Sequence, residues 1–216
     1  MGQALDSELL LHRWHILRQE LDHAGVRLLA VSKYASDEAV SCLVKAGQKE
    51  FAESRPQALR NRARVWPACA WHMIGPVQKN KAKYIGRHAS MWHSVEDAET
   101  AEQVARHVED RVLPVLLQVN MTGNPRQHGV APDKAIRLFE QVSSMKQLQV
   151  KGLMCMASRD ADARTAFRHL WCLRDELFGG SLGSLCMGMS GDYRIAIEEG
   201  ATIVRLGTAL FGDRDT

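Results

Sequence analysis

The sequence lacks the features that would place it in a specialised class of protein. No apolar run approaches the ~20 residues that a membrane-spanning helix needs. The N-terminus has no charged stretch followed by an unbroken apolar core, so we expect no signal peptide. The five cysteines form no C-x-x-C pair, which argues against a zinc site or an iron–sulfur cluster. The net charge of +3 is too small to indicate a nucleic-acid partner.

These absences lead to a set of simple expectations. The protein is expected to be cytoplasmic and monomeric, to bind neither membrane nor nucleic acid, and to hold no metal ion. Its cysteines are expected to be buried, reduced thiols; they are Cys42, Cys69, Cys155, Cys172 and Cys186. With 45% apolar and 25% charged residues, the 216-residue chain has the composition of an ordinary globular protein. A chain of this length can bury a large core without disulfides.

Two hydrophobic periodicities alternate along the chain. Eight short β-rich runs are separated by stretches with helical spacing, and each run except the last is followed by a helix signal. The runs are 26–32, 50–53, 71–74, 90–95, 113–120, 149–154, 184–188 and 202–206. Helical spacing is clearest at 36–46, 97–108, 132–144 and 160–178, and an amphipathic helix is predicted at 1–20.

The strand signals predict a closed barrel. Continuous apolar runs such as VLLQV (115–119) indicate strands that are buried on both faces, as parallel strands are. Eight consecutive βα units predict an α/β fold, a (β/α)₈ TIM-type barrel with an extra N-terminal helix. An open flavodoxin-like sheet is the alternative if the strand count is wrong. No linker rich in Pro, Gly or Ser divides the chain, so residues 1–216 are expected to form a single domain.

Functional residues of such a barrel gather at the carboxyl ends of the strands. Lys33 directly follows the first apolar run, where partial desolvation favours the neutral amine that attacks an aldehyde. On position alone, a lysine that extends from the rim into solvent is the simpler interpretation. His72 lies near the end of the third run and is expected to fill a polar layer of the barrel; the alternative is that it lines the pocket.

A phosphate site is predicted after the last two runs. Ser190 and Gly191 precede a helical segment at about 192–199, whose first N–H groups would be unpaired. Gly207 and Thr208 follow the eighth run, and the glycine lets the backbone approach an anion closely. Taken singly, these residues are also typical of a helix cap and a turn. Together with a rim lysine, they indicate a phosphorylated aldehyde as the ligand.

Seven segments carry a resemblance to a known family and occur in its order over nearly the whole chain. They are LLAVSKY (28–34), FAES (51–54), WHMIGPVQKNK (71–81), VLLQVNMTG with HGV (115–123 and 128–130), KGLMCM (151–156), CMGMSGDYRIAIEEG (186–200) and VRLGTALFGDRD (204–215). In these segments the chain resembles the pyridoxal 5′-phosphate (PLP) homeostasis proteins. These are single-barrel relatives of the N-terminal domain of alanine racemase, with the fold-type III barrel of PLP enzymes.

The resemblance implies a role for each matching residue. Lys33 corresponds to the lysine that forms a Schiff base with PLP. Arg205 corresponds to the arginine that faces the pyridine nitrogen, where a permanent positive charge would keep that nitrogen unprotonated. Ser190, Gly207 and Thr208 correspond to positions that hold the phosphate. PLP is therefore the expected cofactor.

Three positions depart from the family's pattern. The second-strand segment usually reads F-G-E-N or F-G-E-S, and here Ala52 replaces the glycine. The resemblance places Ser54 near the cofactor ring, but serine is shorter than the family's asparagine and reaches less far. Gln127 stands where the family often has a lysine, so any role of that lysine in cofactor transfer does not carry over.

The resemblance implies a carrier or regulator of PLP without robust turnover, with PLP-dependent apoenzymes as recipients. A racemase needs a second acid–base group on the far face of the cofactor. In alanine racemase a tyrosine of a second domain supplies it. We expect this protein to lack such a domain, and Tyr34 adjoins Lys33. An arginine at the ring nitrogen also weakens the electron sink. The alternatives are a PLP-dependent amino-acid racemase or related enzyme, and a barrel enzyme acting on a sugar phosphate without PLP.

Overall fold

A computed structural model of the chain describes residues 6–157, 162–179 and 183–212. Its eight strands pair in parallel with their neighbours in sequence, and β8 pairs with β1 to close a barrel. The strands are β1 (Arg27–Val31), β2 (Glu50–Glu53), β3 (Ala70–Met73), β4 (Met91–Val95), β5 (Leu113–Gln118), β6 (Leu148–Met154), β7 (Ser184–Cys186) and β8 (Ile203–Leu206). The predicted (β/α)₈ barrel is confirmed, and the open flavodoxin-like alternative is wrong because the sheet has no edge.

Helices cover the outside of the barrel. They are α1 (Ser7–His23), α2 (Asp37–Ala46), α3 (Pro56–Val65), α4 (Ala82–His88), α5 (Ala98–Ala105), α6 (Ala135–Ser143), α7 (Ala163–Phe178), α8 (Tyr193–Glu198) and α9 (Thr208–Phe211). Short 3₁₀ turns at Lys79–Lys81 and Pro132–Lys134 precede α4 and α6. None of the helices in the described ranges is both long and apolar enough to cross a membrane.

The extra N-terminal helix is present as α1. It begins at Ser7 because the Asp6 carboxylate accepts a hydrogen bond from the Leu9 N–H at 2.9 Å, a typical N-cap. One stripe of α1 is buried, and the indole of Trp14 donates to the Gln48 side chain at 2.9 Å. The first five residues of the predicted helix lie outside the described residues, as do residues 160 and 161 of the helix predicted at 160–178.

The eighth strand is followed by a helix, α9, which shows no helix signal in the sequence because four residues are too short for helical periodicity. One expectation from the sequence is wrong. The cysteines are not all buried, because Cys172 is exposed on α7 and Cys42 is half-buried on α2, whereas the other three are buried. All five are free thiols. Cys172 lies on the solvent side of an amphipathic helix, a position that a residue-type preference cannot predict.

The core has two layers, one between the barrel and its helices and one inside the barrel. Apolar side chains between the strands and the helices form the larger layer. A smaller cluster fills the barrel itself; its members are Leu29, Ala52, Leu116, Met154, Cys186 and Ile203. Ala52, which departs from the family's glycine, is thus a packed interior residue of β2. Since all strands run parallel, their carboxyl ends meet at one mouth, where the predicted site residues lie.

Candidate functional site

Lys33 lies two residues beyond β1, half-buried at the mouth of the barrel. Its ammonium nitrogen lies 5.2 Å from the centre of the Tyr34 ring, and Tyr34 is 60% exposed. Among the described residues, no carboxylate forms an ion pair with Lys33. The amine is therefore not neutralised by a neighbour, and it is available to a ligand that enters the mouth.

The loop that follows Lys33 is fixed from below by Arg62 of α3. Its guanidinium donates a hydrogen bond to the Ala35 carbonyl at 2.7 Å and lies 3.1 Å from the Asp37 carboxylate. On the other side of Lys33, the Ser32 hydroxyl donates to Glu53 Oε1 at 2.7 Å. These contacts hold the backbone on both sides of the lysine, so its side chain starts from a defined position.

Glu53 is a buried carboxyl group at the end of β2. Burial raises its pKa, while the hydrogen bond from Ser32 and the charge of Arg62, whose Nε lies 3.9 Å away, oppose that shift. Burial is the larger effect. The proton on Glu53 is therefore held more tightly than in an exposed glutamate.

Ser54 follows β2 and is half-buried beside the lysine-bearing loop. A Cβ atom on Gly75 would collide with the Ser54 carbonyl, so the ends of β2 and β3 approach each other more closely than any side chain allows. The Gly75 carbonyl accepts a hydrogen bond from the Ser94 hydroxyl at 2.6 Å. The backbone of Ser54 is thus firmly placed at the mouth.

The predicted phosphate residues come together at the ends of β7 and β8. Ser190 Oγ accepts a hydrogen bond from the Ala209 N–H at 3.0 Å, which ties the loop after β7 to the first turn of α9. Gly207 is the N-cap of α9, and a Cβ on it would lie 3.7 Å from the Val31 carbonyl oxygen. Thr208 begins α9 and is exposed. This cluster therefore lies next to the end of β1, and so next to Lys33.

Several backbone N–H groups of this cluster have no partner of their own. Within the described chain, no hydrogen bond uses the N–H of Ser190, Gly191 or Thr208. Unpaired N–H groups at successive loop and helix-start positions are suited to an anion such as phosphate. The arrangement fits the phosphate position that loops after the seventh and eighth strands form in barrels of this kind.

Arg205 points into the barrel from β8 and is only 4% exposed. Its guanidinium donates to the carbonyl oxygens of Cys186 at 2.9 Å and Cys155 at 2.8 Å, and approaches Cys186 Sγ at 3.2 Å. A buried arginine is ordinarily paired with a carboxylate. Here no carboxylate of the described residues lies within ion-pair distance, and only carbonyl oxygens and the Cys186 sulfur contact the charge. Arg205 thus keeps an uncompensated positive charge inside the barrel.

Two histidines occupy the opposite part of the interior. His72 Nδ1 and His93 Nε2 are hydrogen-bonded at 2.9 Å, and His93 Nδ1 lies 3.2 Å from Cys186 Sγ. Burial lowers the pKa of His72 to about 3, with a smaller contribution from the charge of Arg27. Burial also lowers the pKa of His93 well below its usual value, helped by its neighbours His72 and Arg205. His72 therefore belongs to an interior polar layer, as expected.

His93 was not among the residues that sequence analysis singled out. The signal that could have found it is the alternation along β4, in which Met91 and His93 share the inward face. The contacts of Cys155 and Cys186 with Arg205 could not be predicted, for another reason. The two cysteines meet Arg205 chiefly through backbone carbonyls, and a residue type says nothing about where its carbonyl points.

Gln127, which also departs from the family's pattern, helps to close the loop after β5. Its side chain donates to the Met156 carbonyl at 2.7 Å and accepts from the Thr122 hydroxyl at 2.8 Å. The Asn120 side chain donates to the Gln127 carbonyl at 2.9 Å. Gln127 thus has a structural role in the loop, and its neutral amide cannot replace a lysine amine.

Two surface grooves lie away from the mouth and contain none of the predicted site residues. One, of about 800 Å³, lies between α1, α2 and the end of α3. The other, of about 470 Å³, surrounds the amino ends of β1 and β2. Neither brings together a lysine, a buried unpaired cation and free N–H groups, so we place the candidate site at the mouth.

Comparison with known proteins defines the class to which this barrel and site belong. Residues 5–215 match the family described as alanine racemase, N-terminal domain. The pyridoxal phosphate homeostasis protein of Vibrio cholerae is 36% identical over 205 residues, which cover 89% of this chain and 87% of that protein. The protein of the same name from Pseudomonas aeruginosa is 39% identical over 200 residues, with coverages of 90% and 87%. The chain therefore belongs to the pyridoxal phosphate homeostasis protein family.

Solved structures agree with this assignment. PipY of Synechococcus elongatus without PLP is 32% identical, with a TM-score of 0.86 over 94% of this chain and all of that one. The same protein with PLP bound gives a TM-score of 0.83 at the same coverage. Alanine racemase of Clostridium difficile is only 13% identical and is covered over 57% of its length, with a TM-score of 0.76, which shows a shared fold alone.

Proposed function

We propose that this protein binds PLP at the mouth of its barrel and takes part in its homeostasis. The observation that carries the proposal is Arg205, a buried cation that faces no carboxylate in the described chain. A buried charge without a counter-charge is costly, and an electron-rich ring nitrogen would supply the missing acceptor. The relatives named as PLP homeostasis proteins, and PipY with PLP bound, support the same ligand.

The residues at the mouth fit the separate parts of that ligand. When bound, PLP supplies an aldehyde, which the Lys33 amine would take up as a Schiff base. The hydroxyl of Ser190 and the backbone of Gly207 and Thr208 would hold the phosphate, because they lie beside the end of β1 with N–H groups available. Ser54 would lie at the edge of the ring, on the β2 side.

We further propose that the whole chain acts as one cofactor-binding domain, in the cytoplasm and as a monomer. Its role would be to hold a reactive aldehyde and release it to PLP-dependent apoenzymes. A Schiff base can be exchanged for another amine without any further catalytic group. Catalysis is not part of the proposal, because Tyr34 adjoins Lys33 and would need to reach the other face of the cofactor to act as a second base.

Borohydride trapping tests the lysine assignment. The protein loaded with PLP is reduced and digested, and the pyridoxyl group is mapped by mass spectrometry. We expect it on the Lys33 peptide and expect the visible band of the loaded protein to disappear on reduction. Modification found mainly at Lys79, Lys81 or Lys83 would overturn the assignment, and a protein without a visible band after loading would overturn PLP binding itself.

A racemisation assay tests the absence of turnover. Loaded wild-type protein is incubated with L-alanine in heavy water, and deuterium at Cα is followed by NMR. Exchange near the rate of free PLP is expected. Turnover above about one per second, within the usual range of enzymes, would show that the protein is a racemase or a related enzyme.

A further inference from the structure

One stretch of the chain has a one-sided charge that the proposed cofactor site does not use. Residues 54–95 contain no aspartate or glutamate. They contain eight lysines and arginines, namely Arg55, Arg60, Arg62, Arg64, Lys79, Lys81, Lys83 and Arg87. Eight exceeds the net charge of the whole chain, which is +3, so the rest of the protein is net negative. The modest overall charge hides a strong separation of charge along the sequence.

The fold gathers much of this charge on two adjacent helices, α3 and α4. We define the basic face as Arg60, Arg64, Lys83, Arg87 and Arg111. Arg111 joins it from the segment before β5, where its guanidinium donates to the carbonyls at the end of α4, those of Gly86 at 2.7 Å and Ala89 at 2.9 Å. Arg62 is not a member, because it points towards Glu53 and Asp37 behind the lysine-bearing loop.

His88 shows how closely these charges converge. Burial is the largest cause of its lowered pKa. The charges of four arginines lower the pKa further; they are Arg64, Arg60, Arg87 and Arg111. Four guanidinium groups from two helices and a loop therefore act on one imidazole. Such an arrangement repels itself, and an anionic partner would relieve the repulsion.

Little of this charge is neutralised within the protein. In the part of the chain that the structure describes, the basic face has one ion pair, between Arg87 and Glu109 at 3.8 Å. Arg60 and Lys83 lie over the Tyr84 ring, at 5.0 and 5.4 Å from its centre. The arginines of α7 differ in this respect. Arg164 pairs with Glu198, the last residue of α8, and both Arg164 and Arg168 pair with Glu199, which follows it. Their charges are thus neutralised within the protein.

We propose that the basic face is a docking surface for an acidic protein surface. Guanidinium groups match carboxylates in a two-pronged geometry, and four of the five members are arginines. A single-stranded nucleic acid would need aromatic rings on which bases stack, and the Tyr84 ring already carries two cations. A membrane surface would need several apolar side chains to insert. In α3, α4 and the described segment that carries Arg111, only two large apolar residues are exposed, Val65 and Val112.

The basic face lies towards the end of the barrel opposite the mouth. Arg64 and Arg87 are in the last turns of α3 and α4, and Arg111 lies two residues before β5 begins. The surface is therefore separate from the candidate cofactor site. The docking surface does not depend on PLP binding, and its failure would leave the cofactor site untouched.

Binding of a defined acidic polypeptide tests the proposal. Fluorescently labelled poly-L-glutamate of about 20 residues is titrated with the full-length protein, and anisotropy is followed at low and at moderate salt. The test variant carries Arg60→Glu, Arg64→Glu and Arg87→Glu. The control variant carries Lys134→Glu, Arg137→Glu and Lys146→Glu, three exposed residues on and around α6, so that both variants change the net charge equally.

We expect wild-type protein to bind, with an affinity that falls as salt rises, and the test variant to bind at least tenfold more weakly. The control variant should lose less than twofold. An equal loss in both variants, or no binding to wild type, would overturn the proposal. Tighter binding of a 20-nucleotide single strand, or of vesicles with anionic lipid, would assign the surface to another class of partner and overturn it as well.

Two further measurements keep the result interpretable. Unfolding by urea and PLP binding are measured for every variant, and both should match wild type because the substituted residues lie on the outer surface. If the triple variant does not fold, Arg64→Glu alone serves, since Arg64 is exposed and no described carboxylate pairs with it. A threefold loss is then expected, and an unchanged affinity would contradict the proposal.

Discussion

Two sides of the barrel interior hold buried polar groups in opposite ways. Towards β7 and β8, Arg205 remains charged and is surrounded by carbonyl oxygens. Towards β3 and β4, His72 and His93 hydrogen-bond to each other, and burial drives both pKa values down so that they stay neutral. The two sides meet at Cys186, whose sulfur contacts both Arg205 and His93.

The difference follows from the chemistry of the two side chains. An imidazole can avoid the cost of a buried charge by losing its proton, whereas a guanidinium keeps its proton at any ordinary pH. On the arginine side of the barrel, a buried positive charge therefore remains without a counter-charge, and a ligand can balance it. On the histidine side, both imidazoles are neutral and no such charge remains. A ligand that enters from the mouth would meet the charged Arg205 on one side and the neutral histidines on the other, which would give its ring a preferred orientation.

The largest expected effect comes from removing the charge of Arg205. Arg205→Leu should weaken PLP binding by roughly ten- to a hundredfold, since a hydrogen bond to a charged group is worth about 1.5–3 kcal/mol. It should also destabilise the protein without PLP, because the Cys155 carbonyl loses the Arg205 donor and the Cys186 carbonyl keeps only the Cys155 N–H, at 3.3 Å. PLP titration by visible absorbance and urea unfolding measure the two effects. An unchanged affinity in a folded variant would show that the arginine does not face the ligand.

Ser190→Ala should have a smaller and more selective effect. Losing one charge-assisted contact to phosphate should weaken PLP binding by roughly tenfold, whereas pyridoxal, which has no phosphate, should bind wild type and variant equally. Ser144→Ala, an exposed serine at the end of α6, is the matched control. If the variant weakened pyridoxal as much as PLP, Ser190 would act on the shape of the loop and not on the phosphate.

The neutral state of the buried His72 and His93 predicts that the free energy of unfolding depends on pH. Folding lowers the pKa of His72 from 6.5 to about 3, so the unfolded chain takes up this proton first as the pH falls. The stability from this group is full above about pH 6.5 and is lost below it, by about 1.4 kcal/mol per pH unit. His72→Gln should flatten that slope in urea unfolding between pH 6.5 and 4. His12 is exposed, so His12→Gln should leave the slope unchanged. An equal slope in both variants would contradict the neutral state of His72.

Glu53 should show the smallest effect, with the opposite sign. Its pKa is raised in the folded protein, so the stability it contributes is present at low pH and is lost as the pH rises through the folded pKa. The hydrogen bond from Ser32 and the charge of Arg62 offset part of the burial, which keeps the change small. Glu53→Gln should gain stability relative to wild type at pH 8 but not at pH 4, and a gain at both would point to packing instead.

Much of the fold could be predicted because local patterns repeat eight times. The strand at 50–53 matches β2 at both ends, and the other strand signals differ from the observed strands by one or two residues at an end. Ser190, Gly207 and Thr208 could be placed together because loops at the same end of neighbouring strands must meet. Which group faces Arg205 could not be predicted, since its partners are backbone carbonyls set by the register of β6, β7 and β8.

The histidine pair illustrates a second limit of sequence analysis. His72 lies near the end of a strand signal, but its partner His93 comes from the next strand, and their contact depends on the register of β3 and β4. Gln127 was recognised as a departure from the family, but its link to the Met156 carbonyl is a loop contact that no periodicity encodes. Residue type identified the chemistry, and only the three-dimensional arrangement identified its partners.

The pairing of β1 with β8 makes the candidate site a late product of folding. Lys33 lies at the end of the first strand, whereas Arg205 and Gly207 belong to the last. On the ribosome, the lysine emerges long before the strand that completes its surroundings. Contacts so distant in sequence form slowly, so a nascent chain presents an ordinary lysine until the barrel closes. If Lys33 takes up PLP as proposed, the cofactor would find its surroundings complete only after the last strand has been made.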